Sequence, residues 1–133
     1  MMVSSRGRYA LRVLLDLAQH REDGYVPMHV IAQRQGISKK YMEQIMPALT
    51  KGGLVDSVQG KRGGYRLNRP PQEYSVGEIL RLTEGDLAPV ACLSSGAEPC
   101  GRASDCPTIR MWSRFNELTN EFFNGIALTD LMQ

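Results

Sequence analysis

The sequence predicts a mainly α-helical chain with a small β-hairpin wing: a winged helix-turn-helix followed by a long C-terminal dimerisation helix. Three observations predict it. Between Met28 and Lys51, two short amphipathic stretches are broken by Gly36-Ile37-Ser38, the pattern of a helix-turn-helix. Val55 to Gln59 and Gly64 to Asn68 can each extend, and Gly60-Lys61-Arg62-Gly63 joins them as a basic hairpin tip. From Cys106 to Asn124, apolar and aromatic residues recur at helical spacing.

The elements follow in order. Ser4 or Ser5 caps a first helix whose stripe is Ala10, Val13, Leu14, Leu17 and Ala18. Arg6, Arg8 and Arg12 make its start basic. Arginines in a first turn oppose the helix dipole, so phosphate contact explains them better than helix stability, with a solvated face as the alternative. Arg21 to Tyr25 is a polar loop, and Pro27 opens the next helix, with Met28, Val30, Ile31 and Ala32 facing inward. Gly36 permits the turn, and Ser38 caps the second helix of the pair. There Met42, Ile45, Met46 and Leu49 share one face, leaving Lys39, Lys40, Glu43, Gln44 and Lys51 outside it. Pro47 removes a backbone donor and predicts a kink near Ile45 or Met46.

Beyond the hairpin, Arg69-Pro70-Pro71 reads as a stiff linker. Ser75 and Glu78 have the spacing of a capping box, opening a helix that buries Val76, Ile79, Leu80 and Thr83. Glu84 to Ser104 lacks periodicity and reads as a loop of some twenty residues, a length that usually carries function. Ser104 or Asp105 then caps the longest helix, with Pro107 in its permissive first turn. From Cys106 to Asn124 it would span about 28 Å. Ile109, Trp112, Phe115, Leu118, Phe122 and Phe123 form its apolar side, more than a domain of this size needs to cover itself. The first five of these are expected at a homodimer interface; packing on its own domain is the alternative. The closing Leu128 to Met132 can dock back. The division expected is a DNA-binding unit over 1–74 and an effector loop with dimerisation helices over 75–133.

Net charge is only +2, but it is unevenly divided. Residues 1–74 hold twelve Lys or Arg against six Asp or Glu, and residues 75–133 hold four against eight. The basic half contains the wing, as binding to double-stranded DNA requires. Ser38, Lys39, Lys40, Tyr41 and Gln44 are the expected groove-reading residues. Arg8 is expected at phosphates, and Lys61 and Arg62 at phosphates or the neighbouring minor groove. Glu43 can accept from cytosine or repel a phosphate, so it should restrict which sequences bind. The two histidines and the lack of a convergent acid–base set argue against an enzyme. No apolar run is long enough to span a membrane, and the first residues lack the pattern of an export signal. A cytoplasmic protein is expected. A winged helix serving only protein–protein assembly is the rival from another class, and the basic wing speaks against it.

Cys92, Cys100 and Cys106 are the only cysteines. Their spacing is not that of paired zinc ligands, but thiols on a loop suit an iron–sulfur cluster. Cys106, at the expected helix start, should gain thiolate character. Three ordinary thiols are the alternative.

Arg6-Gly-Arg-Tyr-Ala10, Ser38-Lys-Lys-Tyr-Met-Glu-Gln-Ile45, Gly60-Lys-Arg-Gly-Gly-Tyr-Arg-Leu67, the three cysteines and Leu128-Thr-Asp-Leu131 also carry a resemblance. In this order, over nearly the whole chain, they resemble the bacterial family of IscR, NsrR and CymR, its IscR branch most. The resemblance implies a homodimeric winged-helix transcription regulator, mostly a repressor. In many members it implies an iron–sulfur cluster, with the two-iron (2Fe-2S) type ahead of the four-iron (4Fe-4S) type. Resemblance to CymR also allows a cluster-free regulator that answers to thiol oxidation or to a partner enzyme. The IscR branch places a histidine three residues after its last cysteine, where this chain has Ile109. The NsrR branch uses an acidic ligand near the N-terminus of the partner subunit, where this chain has Arg8. A fourth ligand is left to His20, His29, Glu98 or Asp105, among which the sequence does not choose.

Overall fold

A computed structural model describes residues 3–98, 101 and 105–132. Helix α1 (Ser5–Gln19) is capped by Ser4, whose hydroxyl accepts from the Gly7 N–H at 3.3 Å. No acidic residue lies in its first turn; instead Glu84 serves this end from elsewhere. The Ser4 N–H and hydroxyl donate to the Glu84 carboxylate at 3.0 and 2.6 Å, a favourable charge for a helix N-terminus. Helices α2 (Met28–Gln35) and α3 (Lys39–Lys51) flank Gly36, which takes the left-handed conformation at φ 65°. α3 runs unbroken through Pro47. That proline is exposed on the same side as Glu43, where water can replace the missing donor.

Strands β1 (Val55–Val58) and β2 (Gly64–Leu67) pair antiparallel, Val55 opposite Leu67 and Val58 opposite Gly64. Val26 pairs with β2 near its tip end: it and Tyr65 exchange backbone hydrogen bonds, both at 2.8 Å. A Cβ on Gly64 would collide with the Val26 and Pro27 backbone, so only glycine fits that approach.

Helices α4 (Val76–Glu84), α5 (Ile109–Asn124) and α6 (Leu128–Leu131) complete the chain, with short 3₁₀ turns at Arg21–Asp23, Pro71–Glu73 and Ala91–Leu93. One core joins α1, α2, α3, the hairpin and α4; Leu14, Ile31, Met46, Leu49, Leu54 and Ile79 are all buried in it. Tyr74 is fully buried at its edge, donating to the Leu54 carbonyl at 2.6 Å, and burial pushes its phenol pKa up. Leu128 reaches the same core, and its N–H donates to the Tyr74 carbonyl at 3.0 Å. A smaller cluster of Val76, Leu80 and Leu87 is covered by Phe123 and Ile126.

Two local expectations are corrected. α5 begins at Ile109 rather than Cys106, with Thr108 as a cap that makes no side-chain bond; Asp105 does not cap it and Ser104 lies outside the described residues. Pro107 disfavours helical backbone at Cys106. The Ile109 N–H then reaches back to the Cys106 carbonyl, at 3.5 Å, and the first helical bond runs from Trp112 to Thr108 at 3.2 Å. Sixteen residues give a helix of about 24 Å. The capping box at Ser75 is half made: its hydroxyl accepts from the Glu78 N–H at 3.0 Å, but Arg69 draws the Glu78 carboxylate away in a two-point pair at 3.0 and 2.9 Å. The loop after α4 is partly pinned. Asp86 accepts from the Ser95 and Ala88 N–H groups at 2.6 and 2.7 Å, which hold its carboxyl below the usual range, and Leu87 is buried.

Candidate nucleic-acid interface and cysteine loop

The buried face of α3 fixes what its other face presents. With Met42, Ile45, Met46 and Leu49 inside, Lys39, Lys40, Glu43 and Gln44 are exposed near its N-terminal end. Ser38 is exposed as well, its hydroxyl accepting from the Tyr41 N–H at 3.2 Å. Lys39 and Glu43 form a loose surface pair at 3.9 Å. Tyr41 is half-buried, its ring edge-on to Tyr9 at 5.0 Å. Lys61 and Arg62 stand exposed on the hairpin tip, where the Gly63 N–H closes onto the Gly60 carbonyl at 3.0 Å. Arg8 is exposed and donates to the Ser5 hydroxyl at 3.0 Å.

Asp16 carries a role that its place in the sequence does not announce. It interrupts the apolar stripe of α1, yet it is only 1% exposed. Arg34 donates to both its oxygens, at 3.1 and 2.7 Å, and the Gln35 amide donates at 2.9 Å. The His20 imidazole donates through Nδ1 to the Asp16 carbonyl at 2.8 Å and lies 3.8 Å from the carboxylate. A second chain of interactions starts at Gln35. Its side-chain oxygen accepts from Arg12 Nε at 3.3 Å, and its backbone carbonyl accepts from the other end of the same guanidinium. That guanidinium lies 5.5 Å over the Tyr9 ring. The only sequence signal is a carboxylate at an inward position of a helix.

The cysteines are less gathered. Cys92 is exposed in the Ala91–Leu93 turn, Cys106 is half-exposed ahead of α5, and Cys100 lies outside the described residues. The Thr108 hydroxyl, 3.5 Å from Cys106 Sγ, pulls that thiol's pKa down, helped by the Thr108 and Ile109 N–H groups. The pKa lowering expected of Cys106 thus comes from the Thr108 cap and the first N–H of α5. Among the described residues, no three His, Cys, Asp or Glu side chains come together to hold a metal. Of the fourth-ligand candidates, His29, Glu98 and Asp105 are exposed, and His20 is engaged with Asp16. In chemistry the donors fit an iron–sulfur group: Cys92 and Cys106 are accessible, and one is disposed to be a thiolate.

α5 divides its apolar residues. Phe123 faces the small core, and Arg81 of α4 ties the helix down by donating to Asn120 and Asn124, both at 2.7 Å. Ile109 and Trp112 are half-buried, whereas Phe115, Leu118 and Phe122 are exposed and line an open apolar groove.

A family model named Rrf2, described as an iron-dependent transcriptional regulator, matches residues 3–133. The chain belongs to the Rrf2 family. An HTH-type transcriptional regulator IscR from Aliivibrio salmonicida is 39% identical over 132 residues, 99% of this chain and 77% of the relative. The solved IscR of T. potens superposes with a TM-score of 0.76 at 34% identity, over 98% of this chain and 85% of that one. CymR of B. subtilis, titled a global cysteine regulator, superposes with a TM-score of 0.80 at 31% identity, over 98% and 95%. The resemblance read from the motifs is thus correct, and so is the mainly helical winged fold. This Rrf2 protein is a DNA-binding transcriptional regulator of a non-enzymatic family. No helix among its described residues is long and apolar enough to cross a membrane.

Proposed function

We propose that this Rrf2 protein is a homodimeric, cytoplasmic repressor whose cysteine loop senses iron–sulfur or redox state. The observation that carries the DNA half of the reading is α3, whose apolar face is buried while Ser38, Lys39, Lys40, Glu43 and Gln44 are all exposed. These residues, with the rim of Tyr41, enter the major groove, and Lys61, Arg62 and Arg8 meet phosphates or the adjacent minor groove. Glu43 accepts from a cytosine or repels a phosphate, so it narrows the set of sequences bound. Residues 1–74 do this work, and 75–133 supply the sensor and the dimer. The exposed Phe115, Leu118 and Phe122, with Ile109 and Trp112 beside them, pack against a second copy across a two-fold axis.

Cys92, Cys100 and Cys106 would hold the iron–sulfur group, two-iron ahead of four-iron. When bound, such a group supplies a redox-sensitive centre, and its thiolate ligands tie the loop to the start of α5. A second reading is favoured by Ile109 standing where a histidine ligand would be, and by the lowered pKa of Cys106. In that reading the thiols respond directly to oxidation, or to a partner enzyme, without a cluster.

Anaerobic purification, a visible absorption spectrum and iron and sulfide analysis test the sensor. Colour with about two or four irons per subunit supports the cluster. A colourless protein whose DNA binding changes on thiol oxidation overturns it in favour of the second reading. Selection of duplexes from a random pool tests the DNA half, with an inverted repeat as the result expected of a two-fold dimer.

A further inference from the structure

We infer that Asp16 is a positioning residue for DNA recognition: from inside α1 it sets the end of α2, the turn into α3 and the exposed guanidinium of Arg12. The inference rests on the reading of α3 as the groove-entering helix.

A carboxylate in this apolar stripe is a costly way to fill space. Apolar side chains of similar volume often hold such a site as well or better, so a buried charge is weak support for stability alone. What it adds here is direction. Both carboxylate oxygens are used, by Arg34 and Gln35, and among the described residues the other ionisable group facing it is His20. Arg34 and Gln35 are the last two residues of α2. Gly36, Ile37 and the Ser38 cap of α3 follow at once, and the Ile37 N–H closes the turn onto the Ala32 carbonyl at 3.0 Å. With so short a connection, a rotation at Gln35 is passed to the start of α3.

The polarity of Gln35 extends the effect to the surface. Its amide has a donor end and an acceptor end. Asp16 accepts only, so the nitrogen faces it at 2.9 Å and the oxygen is turned toward Arg12 at 3.3 Å. Arg12 then lies over Tyr9, which meets Tyr41 of α3 edge-on. A buried charge thus orients one exposed cation and buttresses the aromatic pair behind the recognition surface.

The test uses a duplex selected by the wild-type protein from a random pool, and a scrambled duplex of equal length and charge. Asp16→Asn keeps the shape and removes the charge. Gln35→Met keeps the Asp16–Arg34 pair and the bond from Arg12 to the Gln35 backbone carbonyl, removes the amide that joins Asp16 to Arg12 Nε, and decides the matter if Asp16→Asn does not fold. Each should lower the ratio of selected to scrambled affinity by about tenfold, the size of one mismatched base pair. Affinity for the scrambled duplex should hold. Their effects should not add to that of Arg12→Ala, as expected of residues in one network. An unchanged ratio, equal losses on both duplexes, or full additivity with Arg12→Ala would overturn the inference. A wild-type protein that selects no sequence overturns the DNA reading itself, and the inference with it.

Discussion

α1 and α5 are both strongly one-sided helices, and they dispose of their apolar faces in opposite ways. On α1, Ala10, Val13 and Leu14 are 0% exposed beneath α2, α3 and the hairpin. On α5, Phe115, Leu118 and Phe122 are 45, 47 and 62% exposed. Burying one such side chain is worth about 1.5–3 kcal/mol, so leaving three in water forgoes a large stabilisation unless something covers them. Periodicity shows which face of a helix is apolar. It does not show whether the cover comes from the same chain.

The same substitution should therefore have opposite outcomes at the two places. Leu14→Asp puts an unpaired carboxylate into the core, at a cost of several kcal/mol against the roughly 5–15 kcal/mol that hold a domain together. Loss of the helical circular dichroism signal at room temperature is expected. Phe122→Asp should leave that signal intact and turn a micromolar dimer into a monomer by light scattering; if it unfolds the protein as Leu14→Asp does, the contrast between the helices fails.

Functional changes sharpen the contrast between the basic and acidic halves. Replacing Lys61 and Arg62 by Ala should weaken binding to every duplex and flatten its salt dependence by about one unit of slope for each phosphate no longer neutralised. Gln44→Ala should instead relax preference at particular base pairs, and a uniform loss from both changes would erase the distinction between backbone and base recognition. In the other half, a variant with Cys92→Ser, Cys100→Ser and Cys106→Ser should stay folded and dimeric. It should lose a coupling to DNA affinity of about 1–3 kcal/mol, read as binding that no longer changes with oxygen or chelator. The smallest effect is local. The Thr108 hydroxyl stabilises the Cys106 thiolate, so the thiolate fraction at neutral pH is raised. With Cys106 as the remaining thiol, Thr108→Val should move its alkylation profile toward higher pH, and an unmoved profile would assign the shift elsewhere.

Much of the fold is legible in the sequence because its signals are local. Ser4, Ser38 and Ser75 cap their helices as their neighbours predict, Gly36 marks the turn, and the glycines bracket the wing tip. What escapes depends on partners far along the chain. Asp16 reads as an interruption until Arg34 and Gln35, eighteen and nineteen residues later, are seen to satisfy it. Glu78 has the spacing of a capping box but is taken by Arg69, nine residues before it. The start of α5 falls three residues beyond the expected one because Pro107 is equally at home in a first helical turn and just ahead of one. The exposed side chains of α3 and the tip follow from pattern alone; the Asp16 network behind α3 does not.

Leu128 gives the architecture a timetable. It sits fully buried in the core that α1 begins to build, more than a hundred residues earlier in the order of synthesis. Chains are made from the N-terminus at about 5–20 residues per second, and early segments begin to fold as they emerge. Here the helix-turn-helix and wing are complete on the growing chain while their shared interior still lacks its last apolar plug. A nascent chain stalled before α6 would carry a core left open, exposed to proteases. Docking of α6 is thus a condition for the durability of the core beneath the helix-turn-helix.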